Sequence, residues 1–210
     1  NMSSGLEYPE NQHENMFFLN DHLEYSKSIG VEKEANTVFE YNNVNSMLLG
    51  DILEKATGKK ADLLLNERIL DPIGVKNSTV WTDNAGNPLA YCCIDMSARD
   101  YSRFGLLFSR NGNWNGNQLI SKDFVDETFT EYWDVTPQWW TNAKRGYTLH
   151  WWVSKNDEEG SIFNASGKFG QYIFVDREND VIFTRITKYY PMPGSQQDWG
   201  ILERFDGNDV

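Results

Sequence analysis

Two segments of the 210-residue sequence carry side chains whose types and spacing could do chemistry. The first is Tyr41-Asn42-Asn43, directly before an apolar-periodic run that begins near Val44. A phenol at the entrance of a helix feels the positive end of the macrodipole, which favours the phenolate and so a proton acceptor. Asn43 could cap that helix or present its amide to a ligand. On position alone, Tyr41 reads as a packing aromatic and Asn43 as an N-cap. The second segment is Ala165-Ser166-Gly167-Lys168-Phe169-Gly170-Gln171. Gly167 suits a close approach of backbone to substrate, since it has no Cβ, whereas Ser166 reads equally as a plain strand residue. A phosphate loop at Gly167-Lys168 fails, because the upstream glycine is missing and Phe169 stands where Ser or Thr would hold magnesium. His13, His22 and His150 belong to no His-Glu-x-x-His pattern and no Cys/His cluster, so neither a metal nor a cofactor is expected. His150, between Leu149 and Trp151, reads as a structural strand residue. Asn77-Ser78-Thr79 and Asn164-Ala165-Ser166 are glycosylation sequons of a kind that arises often by chance.

Composition narrows the classes. Lys and Arg number 19 against 31 Asp and Glu, a net charge of −12. That balance argues against nucleic acid, whose phosphates demand basic clusters, and against adsorption to anionic lipid. A hydrophobic share of 40% with 14% aromatics is enough for a packed core and excludes a disordered chain. No apolar run approaches the roughly 20 residues of a membrane span. The length suits one compact domain, or one domain and a tail. Cys92 and Cys93 are the two cysteines; they rule out a disulfide-rich scaffold, and their adjacency reads as too close for an ordinary bridge.

The elements that must position these residues follow from periodicity. Met16, Leu19 and Leu23 predict a helix within Asn15 to Ser28. Val44, Leu48 and Ile52 share a face of a stronger helix, Val44 to Thr57, with Gly58 at its C-terminal cap. Ala61 to Leu70 follows and is stopped by Asp71-Pro72. Ser97 caps a helix with Asp100 in its first turn and Tyr101, Phe104, Leu107 and Phe108 on its apolar face. Asn111 to Asn117 predicts a tight hairpin loop, and Ser121 caps a helix through Phe129. From Gly146 the period becomes that of strands: Tyr147–Val153, Ser161–Asn164, Gln171–Val175 and Val181–Thr187, with Asp176–Asp180 as the polar turn of the last hairpin. A short helix over Gln196 to Phe205 closes the chain. Helices first and strands last, without alternation, favour an α+β fold with an antiparallel sheet.

The wider text around these segments resembles the serine β-lactamase-like hydrolases: class C β-lactamases, penicillin-binding carboxypeptidases, related esterases and the 6-aminohexanoate-dimer hydrolases. Tyr41-Asn42-Asn43 with Leu48-Leu49-Gly50, then Thr57-Gly58 and Pro72-Ile73-Gly74-Val75, is similar to the family's Tyr-x-Asn helix and the Thr-Gly and Pro-Leu-Gly-Met that follow it. Ser97-Ala98-Arg99-Asp100 with Arg103-Phe104-Gly105 resembles its Ser-Ala-x-Asp-x-x-Arg-Phe-Gly helix, and Gly112 to Asn117 its Gly-x-Trp-x-Gly loop. Met2-Ser3-Ser4-Gly5-Leu6 is similar to the stretch that follows the nucleophile helix. Ala165-Ser166-Gly167 occupies the place of Lys-Thr-Gly or His-x-Gly, with Ala165 instead of the basic residue; Gly170-Gln171 looks most like the aminohexanoate-dimer branch. The likeness weakens only over 7–36 and 188–210.

That resemblance implies a β-lactamase/transpeptidase-like α+β fold in a single partial domain, with a mainly helical lobe over 1–145 and antiparallel strands and a closing helix over 146–210. It implies hydrolysis of an amide or ester through an acyl-enzyme, with Tyr41 as general base, Asn43 orienting the acyl amide, and the backbone N–H of Lys168, beside Ser166 and Gly167, as one arm of an oxyanion hole. The neighbouring lysine and the helix terminus would lower the pKa of Tyr41. Trp139, Trp140, Trp151 and Trp152 could line an acyl pocket, or be core. The family attacks with the serine of Ser-x-x-Lys, and no serine here has a lysine three positions on. The expectation is that the nucleophile and the first strands lie upstream of Asn1, leaving an unpaired sheet edge through which the chain could form a homodimer. The partner is then a small-molecule amide or ester, with a β-lactamase or D-alanyl-D-alanine carboxypeptidase as one alternative. A non-catalytic binding module of the same fold is the other.

Overall fold

The computed structural model describes residues 2–8, 12–130, 133–135, 144–155 and 162–187. The chain forms two compact units, Asn1–Met96 and Ser97–Val210. The change from helices to strands near residue 145 therefore lies inside the second unit.

The first unit is built around helices α1 (Gln12–Phe17), α2 (His22–Ser28), α3 (Asn43–Thr57) and α4 (Ala61–Leu65). One helix is expected over Asn15–Ser28, but the chain breaks it into α1 and α2. The reason is local and tertiary at once. Asp21 takes the amide of Glu24 at 2.8 Å and so caps α2, while Asn20 accepts the Ala85 amide and the Asn84 side chain at 3.1 and 2.8 Å. Met16, Val44 and Met47 form the buried centre, with Leu6, Leu23, Tyr25, Ile29, Leu48 and Tyr91 packed around it. Ile52, expected on the same stripe of α3, faces outward and is 57% exposed. Gly58 ends α3 with φ +70, its amide donating to the Glu54 carbonyl, as a left-handed C-terminal cap requires. Asn66–Leu70 continues α4 as a π-helical turn closed by Asp71 N–H to Asn66 O at 2.9 Å. Strands β1 (Thr79–Val80) and β2 (Ile94–Asp95) pair antiparallel. The adjacent Cys92 and Cys93 are joined by a disulfide. The expectation from their spacing is thus corrected: Cys93 adopts φ +70, and the two sulfurs meet across a single peptide.

The second unit opens with α5 (Ala98–Ser109). Ser97 and Asp100 cap it reciprocally: the Asp100 amide donates to Ser97 Oγ at 3.2 Å and that hydroxyl donates to the Asp100 carboxylate at 2.7 Å. The expected hairpin follows as β3 (Asn113–Trp114) and β4 (Asn117–Gln118), and then α6 (Lys122–Thr130), with Ser121 Oγ taking the Phe124 amide. The main sheet is antiparallel throughout, its strands being β5 (Trp133–Asp134), β6 (Lys144–Tyr147), β7 (Trp152–Lys155), β8 (Ile162–Gly167), β9 (Gln171–Asp176) and β10 (Val181–Arg185), in the order β10-β9-β8-β7-β6-β5. The single strand expected over Tyr147–Val153 is instead the hairpin of β6 and β7. Thr148 N–H to Trp151 O closes its turn at 2.9 Å, and His150 sits there at φ +65. Two short aromatic strands have the composition of one long strand, and His tolerates the left-handed region better than most residues. The closing helix expected over Gln196–Phe205 lies outside the described residues.

Alternation along β8 decides what the sheet buries. Phe163 and Ala165 point toward a core of Phe108, Val125, Trp151, Ile173 and Val175. α5 lies directly on that face. A Cβ at Gly105 would stand 2.8 Å from Ile173 Cγ2 and 3.1 Å from Ile182 Cγ2, both methyls of β-branched side chains with little freedom to move aside. Gly105→Val is therefore expected to destabilise the protein by about 1–3 kcal/mol through overpacking, seen as a lower denaturant midpoint at an unchanged slope.

Candidate active site

The expected site residues divide between the units: Tyr41 and Asn43 in the first, Ser166, Gly167 and Lys168 in the second.

At the mouth of α3 the cap is Asn42. Its side-chain oxygen accepts the Val44 amide at 2.9 Å, and its amide donates to Glu7 O at 3.4 Å. It is 1% exposed. Asn43, the other candidate for this role, is already the first helical residue and half-buried. The reason is geometric: the capping residue needs extended backbone, which Asn42 has at φ −133 and ψ 115. The side chain of Asn43 is thus not used to start the helix. Tyr41, one residue before the cap, is 37% exposed. Partial burial, with a smaller contribution from Tyr8, holds its phenol above the ordinary value. Burial thus works against the lowering expected from the helix terminus and from the lysine of Ser-x-x-Lys, which is not among these residues.

In the second unit β8 ends in Ser166-Gly167, and Gly167 pairs with Gln171 across a three-residue turn, Lys168-Phe169-Gly170. Phe169 and Gly170 are left-handed, at φ +65 and +80. Gly170 O accepts the Thr187 hydroxyl at 2.9 Å, and the Gln171 side chain exchanges two hydrogen bonds with the Thr187 backbone, at 2.9 and 2.8 Å. The turn that carries Lys168 is thereby tied to the residues after β10. A Cβ on Gly167 would meet Gln171 Cβ at 3.0 Å, so a larger residue there would have to push its cross-strand partner aside by a few tenths of an ångström. Ser166, on the face opposite Ala165, donates to Asn164 Oδ1 at 2.5 Å. Asn164 itself is 5% exposed. Ala165, where the resembling families carry a basic residue, is packed against the apolar core.

Trp151 is a core residue, 4% exposed, with ring centroids 4.8 Å from Phe108 and 4.7 Å from Phe163. Trp152 lies on the other side of β7, edge-on to Tyr147 at 4.7 Å and beneath the Arg145 guanidinium at 3.8 Å. Burial lowers the pKa of Arg145 from its ordinary value. Sequence reading missed this stacked cation, although Arg145-Gly146-Tyr147 facing Trp152 is a pattern that a correct hairpin register would have paired. Trp139 and Trp140 lie outside the described residues. Among the described residues no group of three or more His, Cys, Asp or Glu could hold a metal ion, and no helix is long and apolar enough to cross a membrane.

The two asparagines at the mouth of α3 are separable by measurement. Asn42→Ala is expected to lower stability by about 0.5–2 kcal/mol, the usual cost of a lost cap. Asn43→Ala is expected to stay within about 0.5 kcal/mol of the parent; chemical denaturation of both variants checks it.

Comparison with known proteins places the chain. A curated 6-aminohexanoate-dimer hydrolase from Paenarthrobacter ureafaciens is 24% identical over 168 residues, 78% of this chain and 42% of that protein. Among solved structures, a provisionally assigned 6-aminohexanoate-dimer hydrolase from Bacillus anthracis superposes with a TM-score of 0.75 at 24% identity, covering 87% of this chain and 52% of that one. A D-amino acid amidase from Ochrobactrum anthropi SV3 gives 0.55 at 18% identity, over 89% and 68% of the two chains. The chain thus spans about half the length of the curated relative and of the Bacillus structure. These likenesses show a β-lactamase/transpeptidase-like α+β fold. Residues 1–204 match the Beta-lactamase family as a whole, and the chain belongs to that family of hydrolases.

Proposed function

We propose that this chain is the Tyr-x-Asn part of a serine hydrolase that cleaves a small amide or ester through an acyl-enzyme. The nucleophile is a Ser-x-x-Lys serine outside these 210 residues, and the first strands of the family's sheet accompany it. In this reading the serine hydroxyl attacks the substrate carbonyl. Tyr41 takes the hydroxyl proton and returns it to the leaving group, while the Asn43 amide holds the acyl chain. The backbone N–H of Lys168, at the end of the Ser166-Gly167 strand, receives the oxyanion with the nucleophile's own N–H; one such donor stabilises a transition state by about 2.7–4 kcal/mol. Water then releases the acyl group. Because the phenol of Tyr41 is held above its ordinary value here, the lysine of Ser-x-x-Lys is the group that lowers it into the range of a base.

The observation that carries this reading is the entrance of α3. Asn42 absorbs the capping duty there, so the Asn43 side chain is not spent on starting the helix, in a chain that matches the family over residues 1–204. A small amide is favoured over a β-lactam or a D-alanyl-D-alanine peptide. Ala165 sits in the core, where it supplies no cation for a substrate carboxylate, and the relatives are named for a 6-aminohexanoate dimer and for D-amino acid amides. The same Ala165, with the absence of Ser-x-x-Lys from this sequence, is what supports the rival reading of a non-catalytic binding module.

Two measurements separate these readings. In a longer chain that includes a Ser-x-x-Lys segment, Tyr41→Phe should lower kcat/KM for p-nitrophenyl acetate by about 10²–10⁴-fold, the usual contribution of a general base, and turnover of nitrocefin should be far slower than that of the ester. Unchanged turnover in Tyr41→Phe removes Tyr41 from the mechanism. The 210-residue chain alone should resist a fluorophosphonate probe; labelling abolished by replacing one of its own serines would overturn the external nucleophile.

The homodimer belongs to the same proposal. β10 is the last strand of the sheet among the described residues, and its Val181 and Phe183 are 51% and 43% exposed, an open edge of the kind that pairs with a second chain. Light scattering of the 210-residue chain is expected to give a dimer mass. Phe183→Lys, which places a charge on that edge, should return it to the monomer; a parent that is monomeric at high concentration rules the edge out.

A further inference from the structure

We propose that the Cys92–Cys93 pair is a reversible redox element, closed as a disulfide in one state and open as a vicinal dithiol in the other. The bond joins neighbours in the chain. A cross-link stabilises a fold chiefly by shortening the free loops of the unfolded chain, and closing a loop of two residues shortens almost nothing. Global stability is therefore a poor explanation for it. What the bond does is local. Cys93 is held at φ +70, a left-handed conformation that a residue with a Cβ rarely adopts.

The surrounding turn is built to feel that conformation. The Trp81 amide donates to Cys93 O at 2.9 Å, and the Cys92 amide donates to Leu89 O at 3.2 Å. The next residue back, Tyr91, is hydrogen-bonded at 3.0 Å to Nδ1 of His22, which is 3% exposed. Nε2 of the same ring lies 3.1 Å from Leu19 O. A carbonyl only accepts, so Nε2 carries the hydrogen toward Leu19; in the neutral ring the Tyr91 hydroxyl then donates to Nδ1. The pair thus sits in backbone that is hydrogen-bonded on both sides, and both cysteines are half-buried.

The step is a thiol–disulfide exchange. A dithiol reductant attacks one sulfur through its thiolate, the Cys92–Cys93 bond breaks, and two electrons and two protons pass to the protein as the reductant closes its own disulfide. Cys93 is then free to leave the left-handed region, and the Trp81 and Cys92 hydrogen bonds loosen. Oxidised glutathione reverses the exchange, yielding two molecules of glutathione.

The test uses the whole chain with dithiothreitol as reductant and phenylarsine oxide as probe. Denatured without reductant, the air-equilibrated protein should show no thiol to Ellman's reagent; after reduction it should show two and gain two hydrogens in mass. The reduced protein should take up one phenylarsine oxide with loss of water, and the oxidised protein none. Hydrogen exchange at the Trp81 and Cys92 amides should quicken by about tenfold or more on reduction, as expected of a local opening, with the amides of α3 unchanged. Oxidised glutathione should restore the slow exchange. Cys93→Gly, which suits φ +70 without a side chain, should fold and should neither bind the arsenical nor respond to redox. Two free thiols that oxidised glutathione cannot close, or a reduction that leaves Trp81 exchange unaltered, would overturn the proposal.

Discussion

The hydrogen bond from the Val44 amide to the Asn42 side chain sets where α3 begins, and most of what is chemically interesting in the first unit depends on that point. A helix start leaves several amides without partners. In water this costs little, but Asn42 is 1% exposed, so an uncapped start here would strand donors in a dry place. With the cap in place, Asn42 holds the last extended position, Tyr41 precedes it, and Asn43 is the first helical residue. A shift of one residue toward the C-terminus would make Asn43 the cap and spend its side chain on the Asn45 amide.

The second unit obeys a different constraint, the two-residue alternation of β8. Phe163 and Ala165 are committed to the core under α5, which consigns Asn164 and Ser166 to the opposite face with their mutual hydrogen bond. The residue at 165 is thereby chosen by packing. A basic side chain would have to bring its charge into a cluster of aromatic and branched aliphatic groups, a burial that demands a paired anion. This is the physical content of the difference between this chain and the Lys-Thr-Gly pattern.

Much of this was legible in the sequence, and the parts that were not have common causes. α3 and α5 could be read because apolar period, N-terminal cap and C-terminal stop agree in each, Gly58 and Ser97 being unambiguous. The β3–β4 and β9–β10 hairpins could be read because glycine, asparagine and aspartate mark their turns. The break between α1 and α2 could not, since it is stabilised by Asn84 and Ala85, more than sixty residues away. The β6–β7 turn was hidden because its left-handed residue is a histidine among aromatics. The capping role went to Asn42 where Asn43 was the candidate, because two consecutive asparagines are indistinguishable until the backbone of each is known. The position of Tyr41 before the cap was legible, but the direction of its pKa was not, since that depends on how much water the ring retains.

The two hydrogen bonds between Gln171 and Thr187, with the third from the Thr187 hydroxyl to Gly170, make a mechanical clasp. They tie the segment leaving β10 to the loop at Lys168. Whatever displaces the rim of the sheet at that corner, whether a second chain or a change in the chain's own continuation, drags the Lys168 amide along with it. The assembly proposed at β10 and the chemistry proposed at the Lys168 loop would therefore share a lever.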